Sequence, residues 1–225
     1  MPEKVNIAID GPAGAGKSTV ARGVAGALGF RYLDTGAMYR AVALLALEKK
    51  IDIYDHHSLC ELAKDAKIDI INSNSGETTV LLNGADVSAA IRTPRVTKIV
   101  SDVSKVPGVR SILVEAQKML ARSGGVVMEG RDIGTVVMPD ARYKFYLVAS
   151  ALERAGRRAR DLERMGFSVN LKDLADEIKR RDHIDSSREA DPLKPAEDAI
   201  IIDCTSMSAE EVINSIVTTV AEGLS

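Results

Sequence analysis

A glycine-rich stretch near the start of the chain has the composition and spacing of a phosphate-binding loop. Residues 11–18 fit the pattern G-x-x-x-x-G-K-[ST]. Glycines let backbone N–H groups converge on phosphate oxygens, and the N-terminus of a following helix adds favourable partial charge. Lys17 is expected to reach the β- and γ-phosphates, and the Ser18 hydroxyl to bind Mg²⁺. The pattern predicts binding of ATP or GTP by Gly11, Pro12, Ala13, Gly14, Ala15, Gly16, Lys17, Ser18 and Thr19.

Arginine is concentrated in one segment of the second half of the chain. The eleven residues 154–164 contain Arg154, Arg157, Arg158, Arg160 and Arg164. Acidic residues are interleaved with them, so a solvated helix face explains this segment equally well. Guanidinium groups also bind phosphates in bidentate fashion, and an arginine on a transferring phosphoryl group is worth about 10³–10⁵ in rate. Together with the phosphate-binding loop, this segment favours a kinase of a small phosphate-bearing acceptor over a GTPase or motor.

No residue stands out as a catalytic base, and a phosphate acceptor needs none. The second pKa of a phosphate monoester is about 6, so the acceptor is largely a nucleophilic dianion at neutral pH. A kinase acting on an alcohol would need a carboxylate near the acceptor hydroxyl, and Asp34 could serve. That alternative stays open, as does a nucleotide-dependent switch.

These residues must be positioned by strands and helices that alternate along the chain. Helices are expected from Gly16 to Leu28, from Ala37 to about Lys49, and from a capping box formed by Ser208 and Glu211. Near-continuous apolar runs are typical of strands that helices cover on both faces. The alternation predicts an α/β fold with a parallel sheet. The predicted strands are Val5–Ile9, Phe30–Leu33, Val126–Met128, Phe145–Val148 and Ile200–Ile202.

The region of about 60–100 interrupts this alternation. Ser58 and Glu61 predict the start of a short helix, and apolar and polar residues then alternate around Ile68 and Ile70. A turn-rich segment follows at residues 72–76. Asn83-Gly84 lies between two strand-like runs, which is the strongest short signal for a hairpin. We predict an inserted three-stranded antiparallel meander outside the main sheet.

The overall composition excludes several other classes of protein. A net charge of −2 and a pI of about 6.0 argue against a general nucleic-acid binder. The first residues lead directly into an apolar strand and are expected to leave no room for a leader such as a signal peptide. The longest apolar run, at residues 41–47, is too short to cross a bilayer. Cys60 and Cys204 lack the spacing of metal ligands. We expect a cytoplasmic monomer with one domain, residues 1–225, and no membrane or nucleic-acid partner.

Four segments in sequence order resemble the bacterial cytidylate kinases. They are Ile9–Thr19, Leu33–Arg40, Glu129–Asp140 and Arg180–Arg188, and they span nearly the whole chain. The insert is also similar to an extra segment of the bacterial members. The resemblance implies a five-stranded parallel sheet and a short lid at about 151–168. It implies transfer of the γ-phosphoryl group of ATP, with Mg²⁺, to CMP and dCMP. UMP, AMP or a shikimate-like alcohol stay open as other acceptors.

The resemblance further implies roles for individual residues at the acceptor site. It assigns the acceptor phosphate to Thr35, Arg40 and Arg131, the cytosine to Ser101, Arg110 and Asp132, the sugar to Arg181 and Asp185, and an unspecified part of the acceptor to Arg188. The cytosine assignment also makes chemical sense, because the base offers an amino donor beside ring acceptors that match a carboxylate and a guanidinium.

At the donor side, the resemblance implies a lid that closes over ATP. Arg157 and Arg158 would close on the triphosphate, and residues 203–205 would pass near the adenine. Glu129 stands where an aspartate is expected and would help to hold Mg²⁺ through water. The residues expected to stabilise the transferring group are Lys17, Arg131, Arg157 and Arg158.

Overall fold

The computed structural model describes residues 5–73 and 78–223. The expectation about a leader concerns Met1–Lys4, which lie outside the described residues. The strands are β1 (Ile7–Asp10), β2 (Arg31–Asp34), β3 (Ile68–Asn72), β4 (Thr78–Leu82), β5 (Ala85–Asp86), β6 (Val126–Gly130), β7 (Tyr143–Val148) and β8 (Ile200–Asp203). A parallel sheet with the strand order β2-β6-β1-β7-β8 forms the centre, and a separate antiparallel sheet has the order β3-β4-β5.

Helices cover both faces of the central strands. The sequence folds into α1 (Lys17–Leu28), α2 (Thr35–Glu48), α3 (His56–Asp65), α4 (Pro94–Ser104), α5 (Pro107–Ala121), α6 (Ala151–Arg164), α7 (Leu171–Ser187) and α8 (Ala209–Glu222), with a 3₁₀ turn at Ala90–Arg92 and a π turn at Ile133–Val137. On one face, Val24 of α1 and Ile216 of α8 share a core with β1 and β7. On the other, Val114 of α5 packs with Met128 of β6. Within the described residues, no helix is both long enough and apolar enough to span a bilayer.

The strand order creates a crevice at one edge of the parallel sheet. β1 lies in the middle, and the chain continues from it to β2 on one side but reaches β7 and β8 on the other. At such a switch point, loops leave neighbouring strands in opposite directions and open a binding crevice at their carboxyl ends. Gly11, Arg131 and Cys204 directly follow the carboxyl ends of β1, β6 and β8. The fold therefore brings the predicted chemical residues to one edge.

The predicted α/β fold with a five-stranded parallel sheet is confirmed, with two corrections. β8 is an edge strand that pairs only with β7, and Ile200 and Ile201 are 47% and 61% exposed. Coverage on both faces is therefore wrong for this strand. The helix expected to open with Ser58 and Glu61 begins earlier, at His56. Its N-cap is Asp55, whose carboxylate accepts a hydrogen bond from the backbone N–H of Ser58 at 3.1 Å.

The predicted antiparallel meander is present and lies outside the parallel sheet. Its strands lie within residues 68–72 and 78–86, and helices occupy much of the remaining predicted range. Asn83 and Gly84 both have left-handed backbone conformations, with φ of 51° and 85°, as a two-residue type I′ hairpin requires. The turn expected at residues 72–76 lies mostly outside the described residues. The Asn72 side chain donates to the backbone oxygen of Tyr32 at 2.8 Å and ties the meander to β2.

The segment predicted as a lid forms the first helix of a hairpin. Helices α6 and α7 pack on each other through Ala155, Ala159, Leu162, Leu174 and Ile178, a small core separate from those of the sheet. The Ser150 hydroxyl accepts from the backbone N–H of Glu153 and caps α6. Because this hairpin has its own core, its arginines are carried on a rigid unit beside the crevice.

Candidate active site

The phosphate-binding loop connects β1 to α1, as its pattern predicts. Gly14 and Gly16 have φ values of 76° and 90°, in the left-handed region that favours glycine, and α1 begins at Lys17. Gly11 serves packing, because a Cβ there would lie 2.3 Å from the backbone oxygen of Leu147. The loop directs the N-terminus of α1 toward the crevice, where backbone N–H groups attract phosphate.

Lys17 is buried at the start of α1. Its ammonium group donates a hydrogen bond to the backbone oxygen of Pro12 at 2.8 Å. Burial and the nearby charge of Arg131 lower the pKa of Lys17 to about 7, although Glu129 and Asp10 oppose them. An ammonium that is costly to keep charged is stabilised by an anion, and the triphosphate of a nucleotide supplies one.

A cavity of about 380 Å³ opens next to this loop. All nine residues predicted for the acceptor line it, together with Lys17, Ser18 and Glu129. Those nine are Thr35, Arg40, Ser101, Arg110, Arg131, Asp132, Arg181, Asp185 and Arg188. The structure thus brings together residues that come from α2, α4, α5, α7 and the segment after β6.

One part of the cavity has more cations than carboxylates. Arg131 pairs with Asp185 at 2.8 Å, and the Nε of Arg181 donates to the Ser101 hydroxyl at 3.3 Å. Burial, and then the charge of Arg131, lower the pKa of Arg181 to about 10. The pKa of Arg158 is also lowered, by burial and then by Arg40. Crowded cations of this kind favour a bound dianion such as a phosphate monoester.

Asp34, considered above as a base for an alcohol acceptor, is engaged in a helix cap and an ion pair. It caps α2 by accepting from the backbone N–H of Ala37 at 3.0 Å, and it pairs with Arg40 at 2.6 Å. Burial alone would raise the pKa of Asp34, but Arg40 and Arg92 outweigh it and hold that pKa below its usual range. A carboxylate stabilised as an anion is a poor proton acceptor, so the geometry disfavours the alcohol kinase.

The other end of the cavity holds a compact group of buried charges. Arg110 is 1% exposed and forms a short ion pair with Asp132. Arg188 approaches the second oxygen of Asp132 at 3.4 Å, and its buried Nη2 has no hydrogen-bond partner. Ring atoms of a base offer the acceptors that such a nitrogen needs. Arg188, whose position in the acceptor site the sequence left open, therefore lies with the residues predicted to face the cytosine.

A second cavity, of about 360 Å³, lies on the other side of the phosphate-binding loop. Arg157, Cys204 and Met207 line it, and Gly14, Thr19, Arg158 and Asp161 border both cavities. Arg157 donates to the backbone oxygens of Ala15 at 3.3 Å and of Cys204 at 2.7 Å. The two arginines expected to act alike are thus placed differently. Arg157 lines only the second cavity, whereas Arg158 lines both cavities.

Ser18 and Glu129, the two residues predicted to hold Mg²⁺, both line the larger cavity. Glu129 is buried at the end of β6 and accepts a hydrogen bond from the Tyr32 hydroxyl at 2.9 Å. In the part of the chain that is described, no three His, Cys, Asp or Glu side chains cluster as a metal cage would require. This set fits Mg²⁺, which proteins usually hold by one or two side chains while nucleotide phosphates and water complete its shell.

Two arginines near the site, the buried Arg154 and the partly exposed Arg92, had no individual role predicted from the sequence. Arg154 donates to the backbone oxygen of Ala13 at 3.0 Å and pairs with Asp182 of α7 at 2.7 Å, so it joins the loop to the lid hairpin. Its position four residues before Arg158, on the same helical face, was the available signal. Arg92 lines the larger cavity from the 3₁₀ turn, and nothing in its sequence context indicates this.

A phosphate-binding loop between two cavities, on a parallel sheet with an arginine-bearing helical hairpin, defines a P-loop kinase of small molecules. A family model described as "Cytidylate kinase" matches residues 7–222. The chain belongs to the cytidylate kinase family.

The chain is similar to individual cytidylate kinases over nearly the whole length of each. A cytidylate kinase from Desulforamulus reducens is 53% identical over 223 residues, covering 99% of this chain and 100% of the relative. One from Pelotomaculum thermopropionicum is 54% identical, covering 97% and 96%. A gluconokinase structure from Sinorhizobium meliloti has a TM-score of 0.51 at 14% identity and covers 100% of this chain and 97% of that one. The last similarity concerns the fold alone.

Proposed function

We propose that this protein transfers the γ-phosphoryl group of ATP to CMP, and to dCMP, giving ADP and the nucleoside diphosphate. The observation that carries the proposal is the meeting of two cavities at the phosphate-binding loop, where Gly14, Thr19 and Arg158 border both. ATP occupies the smaller cavity with its triphosphate on the loop, and CMP the larger one. The two reacting groups then meet beside Lys17 and Arg158.

Catalysis in this arrangement rests on positioning and on charge. The acceptor phosphate is a dianion at neutral pH and needs no protein base. Thr35, Arg40 and Arg131 hold it, while Lys17 and Arg158 stabilise the charge on the group in transfer. Ser18, and Glu129 through water, would hold the Mg²⁺ that accompanies ATP. The ion would supply positive charge that offsets the charge of the phosphates.

Selectivity for cytosine follows from the buried carboxylate of Asp132. The exocyclic amino group of cytosine donates a hydrogen bond to this carboxylate, and Arg110 and Arg188 donate to the acceptors of the ring. Uracil presents an oxygen in place of the amino group, which leaves a buried carboxylate facing an acceptor at a cost of about 1–3 kcal/mol or more. Asp185 and Arg181 are proposed to contact the sugar.

A coupled ADP-release assay across nucleoside monophosphates tests the proposal. The expected result is turnover with CMP and dCMP, at least tenfold lower kcat/KM with UMP, and none with AMP or shikimate. Preferential turnover of another acceptor would overturn the CMP assignment. A nucleotide-dependent switch would give no turnover with any acceptor and no thermal shift with CMP.

The cellular setting forms a further part of the proposal. We propose a cytoplasmic monomer without nucleic-acid or membrane partners. The pI of about 6.0 supports the absence of those partners, because it gives no net electrostatic attraction to nucleic acid or anionic membranes. All the residues proposed to bind ATP and CMP belong to one copy of the chain, which supports a monomer as the active species. Light scattering at several concentrations tests the monomer, and a stable dimer would contradict it.

A further inference from the structure

Behind the buried Arg110 lies Asp191, a residue outside the lining of either cavity. Its carboxylate accepts from the Nε of Arg110 at 2.8 Å, and its backbone oxygen accepts from the Nε of Arg188 at 2.7 Å. Asp132 contacts the same two arginines from the cavity side. The four residues therefore close a ring in which positive and negative groups alternate.

The backbone of Asp191 is held in an unusual conformation. Its φ is 50°, in the left-handed region that residues other than glycine seldom adopt, and Pro192 follows it. A residue before proline is restricted further by the proline ring, and such a conformation costs about 1–3 kcal/mol. It persists where surrounding contacts require it. Here it lets one residue present both its carboxylate and its carbonyl to the two arginines.

The ring determines how Arg110 is oriented. This guanidinium donates to Asp191 through Nε, to Asp132 through Nη2, and to the backbone oxygen of Ser104 through Nη1 at 3.3 Å. Burial alone would lower the pKa of Arg110, but Tyr39, Asp132 and Asp191 outweigh it and raise that pKa. Without Asp191, the buried Nε–H loses its partner, and only the contacts with Asp132 and Ser104 still orient the guanidinium.

We propose that Asp191 is a positioning residue for base recognition, which fixes Arg110 and Arg188 in the orientation that distinguishes cytosine from uracil. This inference rests on the proposed function. Asp191 contacts neither substrate. It acts through the two arginines, and its removal should loosen the match to cytosine more than it affects the fold or the ATP site.

Substitutions that tolerate a left-handed φ isolate the effect of the side chain. Asp191→Gly removes the carboxylate while the backbone can keep its conformation, and Asp191→Asn keeps an oxygen acceptor without the charge. For Asp191→Gly we expect about a tenfold rise in the KM for CMP and a similar fall in the ratio of kcat/KM for CMP to that for UMP, with the KM for ATP unchanged. A tenfold change corresponds to about 1.4 kcal/mol. For Asp191→Asn we expect about a threefold fall in the ratio.

The selectivity ratio separates positioning from a purely structural role. A structural residue would lower the midpoint of thermal unfolding but leave the ratio of the remaining folded protein unchanged. An unchanged ratio in Asp191→Gly, or in Asp191→Asn should the glycine variant not fold, would overturn the proposal. Failure of the unsubstituted protein to phosphorylate CMP would instead overturn the proposed function.

Discussion

Lys17 lies at the first turn of α1, where burial and Arg131 make its charge costly. Replacing it by alanine removes the ammonium from the triphosphate while leaving the packing of α1 intact. Because loss of one group that stabilises the transition state costs about 10²–10³ in kcat, we expect at least a hundredfold fall for Lys17→Ala. Kinase assays, thermal unfolding and CMP binding without ATP check this. Near-normal turnover in a folded Lys17→Ala protein would contradict the assignment of the phosphate-binding loop.

The pKa of Lys17, about 7 in the free protein, makes ATP binding depend on pH. Above pH 7 the free side chain is mostly neutral, and the triphosphate raises its pKa again. Binding at pH 8 should therefore take up nearly one proton, and the apparent affinity for ATP should fall as pH rises above 7. Asp10, with a pKa that burial raises to about 6, is already ionised at pH 8 and adds little.

Calorimetry of ATP binding at pH 8, in two buffers with different ionisation enthalpies, measures that proton uptake. Lys17→Arg is the control, because a guanidinium stays protonated across this range. Its binding heat should not depend on the buffer. Equal uptake in both proteins, or none in either, would show that another group titrates or that the pKa of Lys17 is ordinary.

Among the elements, the meander depends on the left-handed backbone of its hairpin. A Cβ on Gly84 would meet no atom within 4 Å, so Gly84→Ala costs only its conformation, about 1–2 kcal/mol. Gly26 of α1 also has open space, but there alanine improves helix propensity, by up to about 1 kcal/mol. In denaturant unfolding, Gly84→Ala should therefore lower the free energy of unfolding, whereas Gly26→Ala should raise it. Equal effects in both variants would contradict the type I′ turn.

Helix α6, which we predict to act as a lid, carries Arg157 and Arg158, and we expect both to contribute mainly to turnover. Arg158 borders both cavities, whereas Arg157 contacts the backbone of the loop and of Cys204. Closure over both substrates excludes water and strengthens guanidinium–phosphate contacts. We expect kcat to fall at least tenfold in Arg157→Ala and Arg158→Ala, with the larger loss in Arg158→Ala, since an arginine on the transferring group is worth about 10³–10⁵.

Direct measurement of CMP binding without ATP completes this test. Both variants should bind CMP nearly as tightly as the unsubstituted protein, because the effect belongs to the transition state. Lys179→Ala is the control, since this exposed residue of α7 lines neither cavity. Unchanged kcat in both arginine variants would show that Arg157 and Arg158 are solvated residues of a helix face without a role in turnover. Loss of CMP binding alone would assign them to the acceptor site.

At the scale of the whole molecule, the sequence predicted those features that short-range sequence patterns determine. The phosphate-binding loop, the strands and the Asn83-Gly84 hairpin are encoded by short-range spacing, and the structure contains them. The exposure of β8 depends on its edge position in the sheet, which no local run records. Arg92 and Asp191 likewise matter through tertiary contacts with residues distant in the chain. Resemblance to a family supplied the acceptor residues, and spacing alone would not have done so.

The two cavities meet at the loop, and this shared border leads to the last prediction. A molecule that joins adenosine and cytidine through a chain of five phosphates should place one nucleoside in each cavity, with its phosphates passing Gly14 and Arg158. Linking the two ligands makes the second binding event intramolecular, which can raise affinity by about 10²–10⁴. The linked compound should therefore compete with both ATP and CMP, with an inhibition constant at least a hundredfold below either KM.

The matched compound with two adenosines should compete with ATP only, because Asp132 and the arginines around it are built for cytosine. Steady-state inhibition patterns against each substrate distinguish these outcomes. Competition of the adenosine–cytidine compound with only one substrate would mean that the two cavities do not hold donor and acceptor at the same time.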